Sequence, residues 1–523
     1  MSTLFNAAEY LTESRVSAGD GARTAVHHPR GTVTYAELAA EVRRVAGGLA
    51  GIGVRPEERV VLCMADDVEL FTGILATMYL GAVAVPCSTM LTGAELGTLV
   101  ADSRARVLIG SHQFTEAVHS AAASAPDLRH LVLAGADPVT PAPGVTALTW
   151  DRMLAAGAPL EAAYPTWDES PALWLYTSGT TGKPKGAMHR HADIRYVAET
   201  YGQQVLGIRP DDVCLSVAKL FFAYGIGNSL FFPLSVGAAA VLEPARPTPG
   251  LVAEDVRKYG ATLLFGVPSF WGPLLASDEV PDDALAGVRQ GVSAGETLPA
   301  RMFTGIRDRF GVEILDGIGS TEALHIFISN RPGAVVPGSS GFPVPGYEIE
   351  LRRTDGSVIS GTGESGMLWI SGDSICTGYW CRTAVNRQVF QGEWMRTGDQ
   401  YVRNDDGSLT CLGRTDDVLK VGGIWVAPAE VESRLLEHPA LAEAVVVGVP
   451  DADGLDKPVA YVVPRPGATV DPDEVVAFCR AGLASFKRPR AVVVIGELPK
   501  TATGKVQRYR LRQRHAVDRS VTA

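Results

Sequence analysis

The sequence lacks paired cysteines and an excess of positive charge. Its 523 residues include seven cysteines, and none of them forms a Cys-x-x-Cys pair. An odd number of scattered cysteines is typical of a reducing compartment and indicates neither a zinc site nor a disulfide framework. The formal net charge of -11 disfavours a nucleic-acid-binding role, because affinity for phosphate backbones requires a basic surface.

Long uninterrupted hydrophobic runs are also missing. Two charge-free stretches, Leu70 to Cys87 and Leu220 to Leu242, are long enough to cross a membrane, but glycines and prolines interrupt both. We therefore predict buried helix-to-strand passages and no membrane partner. The N-terminus has no basic start followed by an apolar core, so the expected location is cytoplasmic. The sequence leaves the oligomeric state open.

What the chain does contain is the composition of a packed globular protein, with 46% hydrophobic and 20% charged residues. At 523 residues it exceeds what one hydrophobic core usually supports, so two or more domains are expected. Helix-like periodicity over Val33 to Ile52 and Asp67 to Tyr79 alternates with the strand-like segments Arg59 to Met64 and Ala82 to Val85. This alternation predicts an α/β fold with mostly parallel sheets.

The pattern changes near Gly341, where frequent turns separate short β-rich pieces such as Met367 to Ile370. We predict a small β subdomain there, within a large N-terminal domain of several subdomains that spans residues 1–415. Strand and helix patterns resume after Asp416, which predicts a small α+β C-terminal domain over residues 416–523.

The most informative motif is Tyr176-Thr-Ser-Gly-Thr-Thr-Gly-Lys-Pro-Lys-Gly186. Glycines let backbone N–H groups approach an anion, while hydroxyls add donors and lysines add charge, so the motif predicts a polyphosphate-binding loop. It is not a Walker A loop, because Pro184 follows Lys183 where that motif has Ser or Thr, and Thr177 stands in place of the first glycine. A solvated linker is the alternative.

Three further motifs lie later in the chain. Asp316-Gly-Ile-Gly-Ser-Thr-Glu322 combines glycines with a carboxylate suited to a hard cation, and Thr397-Gly-Asp399 offers a carboxylate for two ribose hydroxyls. Pro499-Lys-Thr-Ala-Thr-Gly-Lys505 places a lysine on a late turn. Together the motifs resemble those of the adenylate-forming (ANL) superfamily of acyl-CoA synthetases, peptide adenylation domains and luciferases, over nearly the whole chain.

Within that superfamily, Lys219 to Asn228 and Gly319 to Asn330 look most like benzoate-CoA ligases. The resemblance implies that ATP and Mg²⁺ convert an aryl carboxylic acid to an acyl-adenylate, whose acyl group then passes to coenzyme A. The sequence departs from many superfamily members at Ile318, where they place a tyrosine against adenine. We therefore expect apolar and backbone contacts to hold the base.

The resemblance also implies roles for individual residues. Thr321 and Glu322 would serve the α-phosphate and Mg²⁺, with Glu322 as the metal ligand. Lys505 would be the catalytic lysine that bridges the acid and the α-phosphate, and taken alone it reads as a surface lysine. The other implied nucleotide-binding residues are Thr177, Ser178, Gly179, Thr180, Thr181, Gly182 and Lys185 for the β- and γ-phosphates, Asp316 and Gly317 nearby, and Asp399 and Arg414 for the ribose.

A hinge is implied at Asp416, about which the small domain rotates between the two half-reactions; a solvated turn is the alternative. After that rotation the segment containing Lys420, Gly422 and Gly423 would line a thiol tunnel. The implied aryl-acid pocket consists of Phe222, Ala223, Tyr224, Gly225, Gly317, Gly319, His325 and Ile326.

Several alternatives stay open at this level. Phe222 and Tyr224 could be core residues, and His325 could polarise the carboxylate, line the wall or be structural. His189 and His191 are interpreted as helix-start residues without a role. The acceptor could be the phosphopantetheine arm of an acyl carrier protein, and luciferase-like oxidation or non-catalytic ligand binding are more distant possibilities. Two basic features could contact the nucleotide of coenzyme A, a carrier protein or only solvent. They are the segment Phe486-Lys-Arg-Pro-Arg490 and the arginines Arg508, Arg510, Arg512 and Arg514.

Overall fold

The computed structural model describes residues 3–136, 143–178, 184–414, 419–421, 424–426, 428–450, 456–483, 487–500 and 506–514. The chain divides into two compact units, one formed by Met1–Glu348 with Ser371–Met395 and the other by Ile349–Ile370 with Arg396–Ala523. Within the described ranges, no helix combines the length and the hydropathy that a bilayer crossing requires.

A seven-stranded sheet forms one layer of the first unit. Its strands are β3 Arg59–Cys63, β4 Val83–Pro86, β5 Val107–Ser111, β6 His130–Ala134, β7 Thr146–Thr149, β8 Pro171–Ser178 and β9 Pro184–Arg190. Their order is β7-β6-β5-β3-β4-β8-β9, and every neighbouring pair is parallel except β8 and β9. Val60, Val61 and Leu62 of β3 are all fully buried, because a parallel sheet is covered on both faces.

A nine-stranded sheet forms the second layer of this unit. Its strands are β1 Thr24–His28, β2 Gly31–Thr34, β10 Val213–Ser216, β11 Ala239–Val241, β12 Leu263–Gly266, β13 Gln290–Ser293, β14 Ile314–Gly319, β15 Ile326–Ser329 and β16 Phe342–Pro343. The order is β16-β15-β14-β13-β12-β10-β11-β1-β2. The run from β14 to β1 is parallel throughout, so the carboxyl ends of these strands open on one edge.

Helices connect these strands and cover the sheets. They are α1 Ala7–Leu11, α2 Glu13–Ser17, α3 Tyr35–Gly51, α4 Val68–Tyr79, α5 Gly93–Ser103, α6 Thr115–Ala122, α7 Trp150–Leu154, α8 His191–Val197, α9 Ala223–Ile226, α10 Phe232–Val236, α11 Pro249–Tyr259, α12 Pro268–Ala276, α13 Ala300–Phe310 and α14 Thr383–Val389. Thr34 with Glu37 forms a capping box at the start of α3, and Thr92 with Glu95 forms one at the start of α5. Short π-helical turns, Ala198–Gln203 and Gly227–Phe231, follow α8 and α9.

The later strands form smaller sheets. A six-stranded sheet has the order β18-β17-β19-β21-β20 with β22 on β21, and its strands are β17 Glu348–Arg352, β18 Val358–Ile359, β19 Ser365–Ser371, β20 Phe390–Gln391, β21 Trp394–Arg403 and β22 Leu409–Arg414. The C-terminal elements are β23 Leu419–Val421, β24 Ile424–Val426, α15 Pro428–Leu436, β25 Leu441–Pro450, β26 Asp456–Pro464, α16 Pro472–Gly482 and β27 Ala491–Val494. Strand β26 lies between β25 and β27.

The predicted α/β class with mostly parallel sheets, a small β region and a small C-terminal α+β region is confirmed. Both charge-free stretches are buried helix-to-strand passages, α4 to β4 in the first and α9 through α10 to β11 in the second. The interpretation of His189 as a helix-start residue is wrong, because it lies in β9, whereas His191 does begin α8. The predicted boundary at Asp416 lies outside the described residues.

Candidate active site

The glycine-rich motif connects β8 to β9. Thr177 stands opposite Lys185 in the antiparallel register of this pair, and both side chains are partly exposed. Gly179, Thr180, Thr181 and Gly182 lie outside the described residues, and only the backbone of Ser178 is described. A Walker A loop leads from a strand into a helix, whereas this motif joins two antiparallel strands, which agrees with the sequence-based exclusion of that motif.

The segment after β14 is held by His189. The Nε2 atom of His189 lies 2.8 Å from the carbonyl oxygen of Thr321, and its Nδ1 atom lies 3.2 Å from Oδ2 of Asp193. Both His189 and Asp193 are fully buried. The carbonyl oxygen of Thr321 can only accept, so Nε2 of His189 donates this hydrogen bond. Arg190 fixes the carboxylate in turn, donating from its backbone N and its Nε at 2.9 Å each.

The next two carbonyl groups are also engaged. The backbone N of Cys376 donates to the carbonyl oxygen of Glu322 at 2.7 Å, and Oγ of Ser374 donates to that of Ala323 at 2.7 Å. The turn closes at Leu324, whose φ of 65° lies in the left-handed region that non-glycine residues seldom adopt. Three consecutive carbonyls are therefore fixed from outside the motif, which holds the backbone of Thr321 and Glu322 in place.

The predicted acid pocket lies at the carboxyl edge of the nine-stranded sheet. Tyr224 follows β10 in the chain, and its hydroxyl lies 3.1 Å from the carbonyl oxygen of Gly266 and 3.2 Å from that of Val292. These acceptors belong to the neighbouring strands β12 and β13. The tyrosine ring therefore spans the ends of two strands, where ligands of α/β sheets usually bind.

His325 packs against this tyrosine. Its Nε2 lies 3.3 Å from the carbonyl oxygen of Tyr224 and 3.2 Å from Oδ1 of Asn228, and the rings of His325 and Tyr224 are 5.5 Å apart. Both partners accept, so Nε2 carries the hydrogen. Burial lowers the pKa of His325 to about 3. A neutral imidazole can orient the pocket wall, but it supplies no positive charge to a carboxylate near pH 7.

The pocket glycines are required by close backbone approach. A Cβ atom at Gly225 would lie 2.1 Å from the carbonyl oxygen of Lys219, and one at Gly319 would lie 2.5 Å from that of His325. At Gly317 the nearest atom would be a carbonyl oxygen at 2.8 Å. Glycine at position 225 therefore lets the segment after β10 fold back on Lys219, and glycine at positions 317 and 319 lets β14 lie close to the backbone of His325 and β15.

The other predicted pocket residues occupy the same region of the first unit. Phe222 and Ala223 stand at the start of α9 and are partly exposed. The ring of Phe222 meets that of Phe221 edge-on at 4.4 Å. Ile326 begins β15 and is buried, and Ile318 of β14 is partly exposed.

Two buried carboxyl groups lie close to these segments. Oδ2 of Asp316 accepts from the backbone N of Leu298 at 3.3 Å, and burial raises the pKa of Asp316 well above its usual range. Oδ2 of Asp66, beyond the carboxyl end of β3, accepts from the backbone N of Leu220 at 3.0 Å. Burial raises the pKa of Asp66 to about 6. Asp66 thereby links the end of β3 to the segment that carries the predicted pocket residues.

The predicted ribose ligands are held within the second unit. Asp399 and Arg414 are cross-strand partners on β21 and β22, and Nη1 of Arg414 donates to Oδ1 of Asp399 at 3.1 Å and to the carbonyl oxygen of Thr397 at 3.0 Å. Gly398 has a φ of 80°, in the left-handed region that favours glycine, and a Cβ atom there would lie 2.7 Å from Nη2 of Arg414. Lys505, Asp416, Gly422 and Gly423 lie outside the described residues, and only the backbone of Lys420, in β23, is described.

Comparisons with known families identify the chain. The family model of the AMP-binding enzyme matches residues 14–380, and that of the AMP-binding enzyme C-terminal domain matches residues 430–505. This chain belongs to the AMP-binding enzyme family. The predicted resemblance to the adenylate-forming superfamily is confirmed.

Similar AMP-binding enzymes include characterised ligases. A benzoate–CoA ligase from Thauera aromatica is 43% identical over 97% of this chain and 96% of the relative. The solved structure of a benzoate CoA ligase from Burkholderia xenovorans LB400 is 42% identical, with a TM-score of 0.89 over 97% of this chain and 100% of that one. The anthranilate CoA ligase AuaEII, solved with anthranoyl-AMP, is 37% identical with a TM-score of 0.93, over 99% of each chain.

The structure adds residues of this AMP-binding enzyme that the sequence did not reveal. Tyr379 donates its hydroxyl to Oε1 of Glu322 at 2.6 Å, and the buried pair of His189 and Asp193 supports Thr321. Tyr379 stands in a turn-rich segment 57 residues after Glu322, and no local pattern links the two positions. His189 lies three residues after the glycine-rich motif. A prediction of a strand for this segment would have indicated that the side chain of His189 points into the protein and is fixed there.

Proposed function

We propose that this enzyme is an ATP-dependent aryl acid–CoA ligase that acts on benzoate or a close analogue. The observation that carries the proposal is the 43% identity to a benzoate–CoA ligase over 97% of the chain. The first step would join the substrate carboxylate to AMP with release of pyrophosphate. In the second step, the thiol of coenzyme A would displace AMP and form the thioester.

The fixed turn after β14 suits the first step. Negative charge develops around the α-phosphate as the carboxylate attacks, and donors that are already positioned stabilise this charge most effectively. Thr321 offers a hydroxyl on a backbone that His189 holds from behind. Lys505 is proposed to bridge the acid and the α-phosphate, and Asp399 with Arg414 to bind the ribose.

The chemistry of the candidate site is compatible with a magnesium ion that would be bound jointly by Glu322 and the phosphates of the nucleotide. No cluster of three His, Cys, Asp or Glu side chains suited to a metal occurs in the described part of the chain. Glu322 supplies one partly exposed carboxylate, and Mg²⁺ in nucleotide sites typically takes one or two carboxylates together with phosphates and water. When bound, the ion would neutralise phosphate charge beside Glu322.

The geometry of the proposed pocket supports a substrate acid whose carboxylate is attached to a flat, uncharged group. Tyr224 is fixed across two strand ends, His325 is neutral, and glycines keep the adjoining backbone segments close. Such a pocket favours an aromatic ring through stacking and exclusion of water. We propose Phe222, Ala223, Tyr224, Gly225, Gly317, Gly319, His325 and Ile326 as its lining.

The second step needs a thiol channel. We propose that the small domain rotates about Asp416 and that the segment around Lys420, Gly422 and Gly423 then lines the path of the pantetheine arm. Such domain motions let one site carry out two successive reactions.

The test is acid-dependent ATP–pyrophosphate exchange with Mg²⁺, followed by thioester assays with free coenzyme A and with a holo acyl carrier protein. Benzoate, hydroxybenzoates, halobenzoates and heteroaryl acids form the panel, with fatty acids as the contrast. We expect exchange with at least one aryl acid and turnover with coenzyme A. Exchange only with fatty acids, or turnover only with the carrier protein, would contradict the proposed substrate or the proposed acceptor.

A further inference from the structure

The segment that carries Tyr379 extends the edge of the seven-stranded sheet. The backbone N of Thr377 donates to the carbonyl oxygen of Met188 at 2.9 Å, the N of Met188 to that of Gly378 at 3.0 Å, and the N of Trp380 to that of Gly186 at 2.9 Å. This segment therefore pairs with β9, directly after the glycine-rich motif. The backbone of Tyr379 is placed by the same strand that carries Lys185.

Asn386 fixes the same backbone a second time. Its Oδ1 accepts from the backbone N of Tyr379 at 2.8 Å, and its Nδ2 donates to the carbonyl oxygen of Tyr379 at 2.9 Å. The tyrosine side chain is also buried, with 4% of its surface exposed, and its ring packs against Phe390 at 5.5 Å. The position of Tyr379 is thus set without any help from its hydroxyl group.

The hydroxyl group contacts the carboxylate of the late motif. It donates to Oε1 of Glu322 at 2.6 Å, a short distance typical of a hydrogen bond to a charged acceptor. The backbone of Glu322 is held separately, by Cys376. Tyr379 therefore selects the direction of the Glu322 side chain rather than the location of its backbone.

The face of the same ring contacts the lysine of the glycine-rich motif. Nζ of Lys185 lies 4.7 Å from the centre of the Tyr379 ring, within the range of a cation–π interaction. No ion pair joins Lys185 directly to Glu322 among the described residues. Instead, the ammonium group of Lys185 contacts the ring of Tyr379, and the carboxylate of Glu322 contacts its hydroxyl group.

We propose that Tyr379 is a positioning residue that keeps Lys185 and Glu322 apart and correctly directed for a magnesium-bound triphosphate. The proposal rests on the proposed function only in the choice of nucleotide. Without the tyrosine, the two charges could pair with each other, and each would then be withdrawn from its role. With it, the lysine stays available to phosphate, and the second oxygen of Glu322 would be available to a bound magnesium ion.

The test compares Tyr379→Phe with Tyr79→Phe in the full chain. Tyr79 is a matched control because it is buried and its hydroxyl also donates to a carboxylate, Oε1 of Glu13 at 2.9 Å, away from these motifs. Binding of ATP is titrated calorimetrically with Mg²⁺ and with EDTA. We expect Tyr379→Phe to weaken binding of Mg²⁺–ATP about tenfold and to leave metal-free ATP unchanged, as expected for loss of a hydrogen bond to a charged group.

A second variant separates the two contacts. Tyr379→Leu removes the ring as well, and we expect it to weaken metal-free ATP too, because Lys185 loses its support. Equal, metal-independent losses in Tyr379→Phe and Tyr79→Phe, or no loss in Tyr379→Phe, would overturn the proposal. The titration needs no acid substrate, so its result stays interpretable even if no aryl acid supports pyrophosphate exchange.

Discussion

The imidazole of His189 donates to the carbonyl oxygen of Thr321 at 2.8 Å, although the two residues are 132 positions apart in the chain. A fully buried carboxylate, that of Asp193, holds the other side of the ring. The backbone of the motif from Asp316 to Glu322 is therefore supported by β9, a strand that begins within the glycine-rich motif. Two motifs that are distant in sequence share one rigid connection.

We expect His189→Gln to lower the rate of acid-dependent pyrophosphate exchange about 10–100-fold, since it removes a hydrogen bond to the motif and leaves the buried Asp193 with Arg190 as its remaining side-chain partner. His191→Gln is the matched control, because His191 is equally buried and its Nδ1 accepts from the backbone N of Ala7 at 3.0 Å. That variant should lose stability without a specific loss of exchange. If the two variants lost exchange activity in the same proportion to their decrease in Tm, His189 would act only through the stability of the fold.

Lys505 provides a prediction about the two half-reactions. Lys505→Ala should abolish formation of the acyl-adenylate yet spare thioester formation from supplied benzoyl-AMP, because in the proposed mechanism the lysine acts only while charge develops at the α-phosphate. The measurement is pyrophosphate exchange for the first step and thioester release from synthetic adenylate for the second. Equal loss of both steps would contradict the role assigned to Lys505.

His325 makes stability depend on pH. Its folded pKa of about 3 lies below the ordinary value of 6.5, so the unfolded chain binds more protons between these values and stability falls as the pH falls through this window. From pH 6.5 to 5 this should remove about 2 kcal/mol of the free energy of unfolding. In urea unfolding experiments, His325→Gln should show a smaller loss across this interval than the wild type. Replacement of the exposed His112 by Gln should leave the loss unchanged, and a similar change in both variants would contradict the prediction.

Gly225 tests whether close packing shapes the acid pocket. In Gly225→Ala the new Cβ atom would lie 2.1 Å from the carbonyl oxygen of Lys219, so the segment must shift, at a typical cost of about 1–3 kcal/mol. We expect a lower Tm and a higher KM for the aryl acid in the exchange assay. Gly250→Ala is the control, because no atom lies within 4 Å of its added Cβ. If the KM of Gly225→Ala were unchanged, Gly225 would not contribute to the shape of the acid pocket.

The sequence predicted the architecture well because its central strands are buried on both faces. Continuous apolar segments such as Arg59 to Met64 are easy to recognise as strands, and β3 spans Arg59–Cys63. Strand β9 was harder, since polar residues such as His189 and Arg190 interrupt its apolar pattern while its inward side chains make buried polar contacts.

The candidate site was predictable only where a motif carries its own chemistry. The motif that ends at Glu322 was recognisable by its glycines and its carboxylate, and the segment from Lys219 to Asn228 was recognisable by its resemblance to benzoate-CoA ligases. Tyr379 did not, because its role depends on pairing between its segment and β9, which the sequence does not encode locally. The resemblance predicted that His325 lines the acid pocket, but the charge state of His325 could not be predicted, since it depends on how deeply the side chain is buried.

The hydrogen bond from the backbone of Leu220 to Asp66 matters for efforts to exchange substrate preference between related ligases. The loop that carries the predicted pocket residues is anchored by a residue 154 positions earlier, in the segment that follows β3 of the seven-stranded sheet. The orientation of a transplanted loop would therefore depend on the residue at position 66 of the recipient protein. If that residue cannot accept the hydrogen bond from the loop backbone, the loop should change its conformation even when every pocket side chain has been copied. Asp66 belongs in any such transfer as part of the donor sequence.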